Sequence, residues 1–273
     1  MKTNNQQDFL SRYSLHETPF TREIAVKNRF VQENQDKQLG YLQRTIEKRM
    51  SATLIAPAGM GKTMLLRTLV DRLPETRYRV HYVKVTSLSK RDLCGEIATI
   101  VGVKKAGNYP TLVRRVQERF SSSFDTDSLK SVIIIDEAHL MRIDVLGILN
   151  ILTNFDMDSR LVVSIILAGQ PPLRQFLKQD TLEDVAKRMA HFGTLKLLSP
   201  SEIDDYITHR CRIAGNHSSL FDKDALTAIH EIARGNLRAT DYLCLKSLEM
   251  AHDEDKDSVN ANHVIEAREM LWP

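Results

Sequence analysis

The chain has 273 residues, 42% of them hydrophobic and 27% charged, the balance of a soluble globular protein with room for one large domain or two unequal ones. Thirty-eight Lys and Arg against 35 Asp and Glu leave a net charge of only +3, so any nucleic-acid surface has to come from local clustering and not from bulk charge. Cys94, Cys211 and Cys244 are far apart with no CxxC or Cys/His spacing, which argues against a disulfide framework or a structural zinc site and fits a reducing cytosol.

Met1–Leu15 is polar and carries no apolar run of the signal-peptide kind, and no later stretch reaches the roughly eighteen apolar residues of a membrane span. A cytoplasmic location without a membrane partner is expected. Met1–Gln35, with scattered Phe9, Tyr13, Phe20 and Phe30, has no clear period and reads as an irregular arm. Leu39, Leu42, Ile46 and Met50 recur at helical spacing over 36–50. A strand-then-helix alternation follows. Strands are expected at Ala52–Ala56, Val80–Val85, Val132–Asp136, Leu161–Leu167 and His191–Leu198. Helices are expected at Thr63–Leu73, Arg91–Val101, Leu112–Phe120, Asp144–Asn154, Leu173–Lys178 and Leu182–Met189. Five strands alternating with helices predict an α/β fold with a parallel sheet covered on both faces.

After Ser199 only helices are expected: Glu202–Ala214, Lys223–Ala233, Leu237–Ala251 and Ala261–Met270. Ser199-Pro200-Ser201-Glu202 has the cap, the first-turn proline and the glutamate of a capping box. The expected organisation is an arm and first helix over 1–45, a nucleotide-binding α/β domain over 46–198 and a helical domain over 199–273.

The strongest motif is Ala56-Pro57-Ala58-Gly59-Met60-Gly61-Lys62-Thr63, after an apolar strand and before a helix. In that context backbone N–H groups of the loop and of the helix start point at phosphates. Lys62 is expected to reach the β- and γ-phosphates and the Thr63 hydroxyl to ligate Mg²⁺. Pro57, Ala58, Gly59, Met60, Gly61 and Leu65 complete the expected cofactor-binding segment. The motif departs from the usual pattern at its first glycine, which is Ala56 here. Val132-Ile133-Ile134-Ile135-Asp136-Glu137 supplies the partner: a buried strand ending in two carboxylates that would be costly to bury without a task. Asp136 is assigned to Mg²⁺ and Glu137 to polarising the attacking water, a pairing that, with the loop, reads as triphosphate hydrolysis.

These residues resemble the AAA+ ATPases, and the resemblance covers nearly the whole chain, with a P-loop AAA+ core, an N-terminal arm and a C-terminal helical lid. It implies three further catalytic residues. Gln170, in Ala168-Gly169-Gln170, matches the first sensor, the alternative being a cap for the turn at Pro171. Arg188 matches an arginine finger acting on a neighbouring subunit, with Lys187 competing for the role. Arg238, in Gly235-Asn236-Leu237-Arg238, matches the second sensor. A finger acting in trans implies a homo-oligomer, a ring or a helical filament.

Finer likeness lies in Tyr13-Ser14-Leu15-His16-Glu17-Thr18-Pro19-Phe20, Arg29-Phe30, Asp136-Glu137-Ala138-His139, Leu167-Ala168-Gly169-Gln170-Pro171-Pro172-Leu173 and Leu198-Ser199-Pro200. Together these look like the group holding the ExeA-type secretion ATPases and the transposition regulators of the phage Mu B, TniB and TnsC type. The regulators bind double-stranded DNA without sequence preference when loaded with ATP, polymerise on it, and recruit or stimulate a transposase. The secretion branch generally runs on past its lid into a membrane span and a further domain. Because the sequence stops at Pro273, the resemblance points to the compact transposition type, with a transposase and a target-selection protein as partners. Lys90, Arg91, Lys104, Lys105 and Arg142 are the candidate DNA contacts, since a positive surface holds phosphates without reading bases. The alternative for each is a solvated face balanced by Asp92, Glu96 or Glu118.

Overall fold

A computed structural model describes residues 2–84 and 89–271, with side chains from residue 7 onward. They form two units: Met1–Gln32 with Gly59–Gly61 and Lys196–Pro273, and Glu33–Ala58 with Lys62–Leu195.

The larger unit is the α/β one. After helix α2 (Glu33–Glu47) come β1 (Ser51–Ile55), α3 (Lys62–Asp71), β2 (Tyr78–Lys84), α4 (Lys90–Ile100), α5 (Tyr109–Asp127) and β3 (Lys130–Asp136). The short helices α6 (Ile143–Leu146) and α7 (Ile148–Thr153) lead to β4 (Val163–Gly169). Helices α8 (Pro172–Phe176) and α9 (Glu183–Lys187) then lead to β5 (Met189–Thr194). The expected strand residue Val85 lies outside the described residues.

All five strands pair in parallel, in the order β2-β3-β4-β1-β5. Burial follows from this order. Every residue of the inner strands β1 and β4 is buried, whereas β2 and β5 alternate because an edge strand has one face and one side open. Ile133, Ile135, Leu167 and Leu173 sit in one apolar core with Leu93, Ile97, Leu112 and Phe120 from α4 and α5. Side chains start the helices where the sequence offers a cap: Ser89 Oγ accepts the Asp92 N–H at α4, and Asn108 Oδ1 accepts the Thr111 N–H at α5. The single helix expected over 144–154 is two, divided at Gly147, which ends α6 and opens α7.

The helical unit holds α1 (Lys2–Arg12), α10 (Pro200–Ile213), α11 (Lys223–Ala233), α12 (Leu237–Asp253) and α13 (Ala261–Leu271). Ser199 and Glu202 make the full capping box at α10. The irregular arm expected over the first 35 residues is corrected here, because its start is a helix. The Tyr13 hydroxyl donates to the carbonyls of Leu248 (3.3 Å) and Lys256 (3.0 Å), and Arg12 pairs with Asp255 at 2.6 Å. Tertiary anchors of this kind override a weak local pattern. Further along, buried Arg210 donates to the Thr21 carbonyl (2.6 Å) and to Tyr206 Oη (2.9 Å) and pairs with Asp241 at 3.2 Å. Burial pushes the Asp241 carboxyl up to about 6 despite that guanidinium. Residues 2–32 thus belong with the C-terminal helices, and this unit resumes at Lys196, three residues before the expected boundary at Ser199.

Candidate nucleotide site

β1 and β3 lie on either side of β4, so their carboxyl ends open on the crevice where strand order reverses, the usual ligand position of an open parallel sheet. Ala56, after β1, donates its N–H to the Gly169 carbonyl at the end of β4 (3.0 Å). Gly59 and Gly61 both have left-handed backbone, φ +82° and +78°, the alternation that turns successive N–H groups into an anion nest. Pro57 and Ala58 are exposed, and Met60 is buried. Lys62 is the first residue of α3 and is buried, while Thr63 follows with its side chain on the exposed face. Leu65 is buried and fastens α3 to the core.

Glu137 follows β3 in left-handed conformation, φ +57°. Its Oε1 stands 4.0 Å from Lys62 Nζ, so the structure brings the loop lysine and the second carboxylate together. Buried Asp136 accepts two hydrogen bonds, from the Glu137 N–H at Oδ1 (2.8 Å) and from the Tyr82 hydroxyl at Oδ2 (2.9 Å). Burial first, and then that hydrogen bond, raise the Tyr82 hydroxyl well above the usual tyrosine range, so it stays a donor. Nothing in the sequence singled out Tyr82. Its position depends on the β2–β3 register, in which Tyr82 lies opposite Ile134 and Lys84 opposite Asp136.

His139 joins this group. Its Nδ1 accepts the Gln170 N–H at 3.3 Å and lies 3.5 Å from Glu137 Oε2. An unprotonated Nδ1 serves Gln170 and a protonated one serves Glu137, so the two contacts exclude each other. Gln170 itself is half-buried directly beyond β4. Arg238 belongs to the helical unit, where its backbone N–H donates to the Gly59 carbonyl at 3.1 Å. Arg188 closes α9 before β5 and is tied to Asn150 and Asp158. Lys187 pairs with Glu183 one turn earlier on the exposed surface (2.8 Å).

The donor set fits a magnesium triphosphate. Asp136 and the Thr63 hydroxyl are hard oxygen ligands, and no cluster of three His, Cys, Asp or Glu occurs among the described residues to favour a softer metal. Thr63 and Asp136 would hold a bound Mg²⁺, which would supply positive charge against the charge developing in phosphoryl transfer. The three cysteines are free and buried, and burial pushes the Cys94 thiol up to about 11, which leaves it unreactive.

Four of the five candidate DNA cations have partners on one face of the α/β unit. Lys90 Nζ and Arg142 Nε lie 4.0 and 3.0 Å from the Asp144 carboxylate, and Arg91 donates to the Gly107 carbonyl at 3.3 Å. Lys105 pairs with Glu96 at 3.5 Å and lies along Gly95 of α4, and Lys104 beside it is exposed. No helix among the described residues is long and apolar enough to cross a membrane.

The Gly59/Gly61 loop after β1, the two carboxylates at the end of β3 and the 2-3-4-1-5 sheet together give the fold of the P-loop AAA+ ATPases. Residues 44–177 match the family model described as AAA domain. The chain is 28% identical over 239 residues to the general secretion pathway protein A of Aeromonas hydrophila, an alignment covering 86% of this chain and 43% of that one. The chain therefore spans less than half the length of this curated relative. Among solved structures it is similar to Cdc6p of Pyrobaculum aerophilum, with a TM-score of 0.72, 17% identity, and 93% and 70% of the two chains covered. It is also similar to the ORC1 protein of Aeropyrum pernix in complex with DNA, with a TM-score of 0.68, 18% identity, and 92% and 68% covered.

Proposed function

We propose that this ATPase binds double-stranded DNA without sequence preference when loaded with ATP, oligomerises on it, and recruits or activates a transposase for target selection in the cytoplasm. The observation that carries the DNA part is the convergence of Lys90, Arg91, Lys104, Lys105 and Arg142 around α4, where they outnumber the carboxylates Asp92, Glu96 and Asp144 among them. The DNA bound to the similar ORC1 protein supports the same reading. The transposase and the target selector rest on the motif resemblance alone.

In this reading Lys62 holds the β- and γ-phosphates, Thr63 and Asp136 hold Mg²⁺, and Tyr82 fixes the Asp136 carboxylate. Glu137 polarises the attacking water, and Gln170 and Arg238 sense the γ-phosphate. Arg188 acts on the nucleotide of a neighbouring subunit. The Aeromonas relative favours a second reading, an accessory ATPase of protein secretion or assembly whose client is a protein.

Fluorescence anisotropy with unrelated duplexes over a salt series decides between them. The DNA reading expects similar affinities for all duplexes with a non-hydrolysable ATP analogue, loss of tight binding with ADP, and about −0.9 in log–log salt slope for each phosphate neutralised. Changing Lys104 and Lys105 together to Ala flattens that slope and leaves DNA-independent ATPase activity near normal. Absence of DNA binding with the analogue at low salt overturns this reading in favour of the protein-client one.

A further inference from the structure

Arg188 does not hang free ahead of β5. Its Nε donates to Asn150 Oδ1 at 2.6 Å and its Nη1 to Asp158 Oδ1 at 2.5 Å. The guanidinium side chain is only 19% exposed, whereas Asp158 is 52% exposed. Two of its donors and its charge are therefore engaged within its own chain. Asn150 sits on α7, and Asp158 sits in the turn between α7 and β4, where Asp156, Met157 and Asp158 all have left-handed backbone (φ 49°, 55° and 68°).

Three successive non-glycine residues in that region are unfavourable and persist only where surrounding structure over-determines them. Here the surroundings do. Phe155 and Arg160 bridge the base of the turn, and Ser159 donates both its N–H (3.2 Å) and its hydroxyl (2.7 Å) to the Asp156 carbonyl. Arg160 pairs with Asp125 and with Asp156 (3.5 Å) and covers the Phe124 ring. A strained turn built this firmly delivers one carboxylate to Arg188 and leaves Met157 at its tip 97% exposed.

We infer that Asp158, with Asn150, is a positioning residue that parks Arg188 inside its own subunit until the triphosphate of a neighbour displaces the carboxylate. The inference rests on the reading of Arg188 as the trans-acting finger. A half-exposed ion pair is weak, so it can be exchanged. A triphosphate offers more negative charge than a diphosphate, so the exchange favours ATP-loaded interfaces over ADP-loaded ones. The latch thus sets a protein concentration below which subunits hydrolyse ATP slowly.

Asp158→Asn is the sharpest probe, because Asn keeps the side-chain shape and tolerates left-handed backbone while losing the charge. Steady-state ATPase rate is measured against protein concentration with saturating ATP and Mg²⁺. The concentration for half-maximal activation is expected to fall about two- to fivefold, the worth of a partly exposed ion pair. The rate at saturating protein stays unchanged, and Asp158→Glu returns the threshold toward that of the parent. A merely structural role would lower the melting temperature and leave the threshold alone. An unchanged or raised threshold for Asp158→Asn overturns the inference. Arg188→Ala separates the two layers. If it keeps full concentration-dependent activity, the finger reading fails and the latch with it; if it is inactive while Asp158→Asn tracks the parent protein, only the latch fails.

Discussion

Gly59→Ala tests the link between the phosphate loop and the start of α12. Gly59 has φ +82°, and a Cβ there would lie 2.4 Å from Asn236 Oδ1 and 2.8 Å from the Arg238 Cβ. The same Asn236 oxygen accepts the Ala239 N–H at 3.1 Å and caps α12. Forcing Ala into left-handed backbone costs about 1–2 kcal/mol. Displacing the cap costs about 1 kcal/mol more. A total near 2–3 kcal/mol corresponds to a loss of roughly 5 °C or more in melting temperature for a unit of this size. Thermal unfolding followed by circular dichroism reads the stability, and a fluorescent ATP analogue reads nucleotide affinity, which should fall because the nest is distorted. In an Asn236→Ala background the cap part of the cost is already spent, so Gly59→Ala should then cost about 1 kcal/mol less. Equal melting temperature and equal affinity for Gly59→Ala and the parent protein would refute the reasoning.

Lys62→Ala should lose ATP binding in a titration with the fluorescent analogue, because the buried ammonium is the loop's charge for the phosphates. Glu137→Gln should bind normally and lose turnover by 100-fold or more on the order expected for a catalytic base, and wild-type phosphate release would remove Glu137 from that role. Buried His81, beside Arg79 and Arg119, is held down at about 4, chiefly by burial. Its folded value lies below the ordinary 6.5, so its stabilising contribution is complete above pH 6.5 and is lost as pH falls toward 4. The loss is about 2 kcal/mol after allowance for solvent screening. Urea midpoints over pH 7 to 4 should slope less in His81→Gln, and parallel slopes would contradict the assignment.

The parts of the fold that read directly from the sequence are those where burial leaves a one-residue-deep trace. Val132–Ile135 is apolar without break and Leu161–Leu167 is broken only by buried Ser164, because β3 and β4 are covered on both faces, and Val80–Lys84 alternates because β2 is an edge. Helix α1 leaves no such trace: KTNNQQDFLSR is polar, and its order comes from Phe9, Arg12 and Tyr13 meeting residues more than 200 positions away. The site divides in the same way. Gly59, Gly61, Lys62 and Thr63 are legible as a candidate phosphate loop because the motif sets them at fixed spacing between a strand and a helix, and Asp136 and Glu137 are legible as candidates because they end an apolar strand. Tyr82 on Asp136 and Asp158 on Arg188 are not, since each pair spans 54 or 30 residues and is set by strand register or by a turn. The basic residues were legible as a candidate set, but their partners Asp144 and the Gly107 carbonyl were not, because the packing of α4 against the 104–107 loop and Asp144 sets those pairs.

The place of β1 in the sheet bears on how the chain is made. Its five buried residues pair only with β4 and β5, so Ser51 Oγ finds the Ile165 N–H across 114 residues of intervening chain. At ribosomal rates of roughly 5–20 residues per second, that delay is about 6–23 s. During synthesis β2 and β3 can meet first, while Ser51–Ile55 waits as an unpaired apolar strand with both hydrogen-bonding edges open. The phosphate loop that follows it has no fixed anchor in that interval, because Ala56 donates to Gly169, which has yet to emerge. On this order of events a nucleotide cannot brace the loop while β1 waits, and would become a stabilising ligand only after the fourth strand has been delivered.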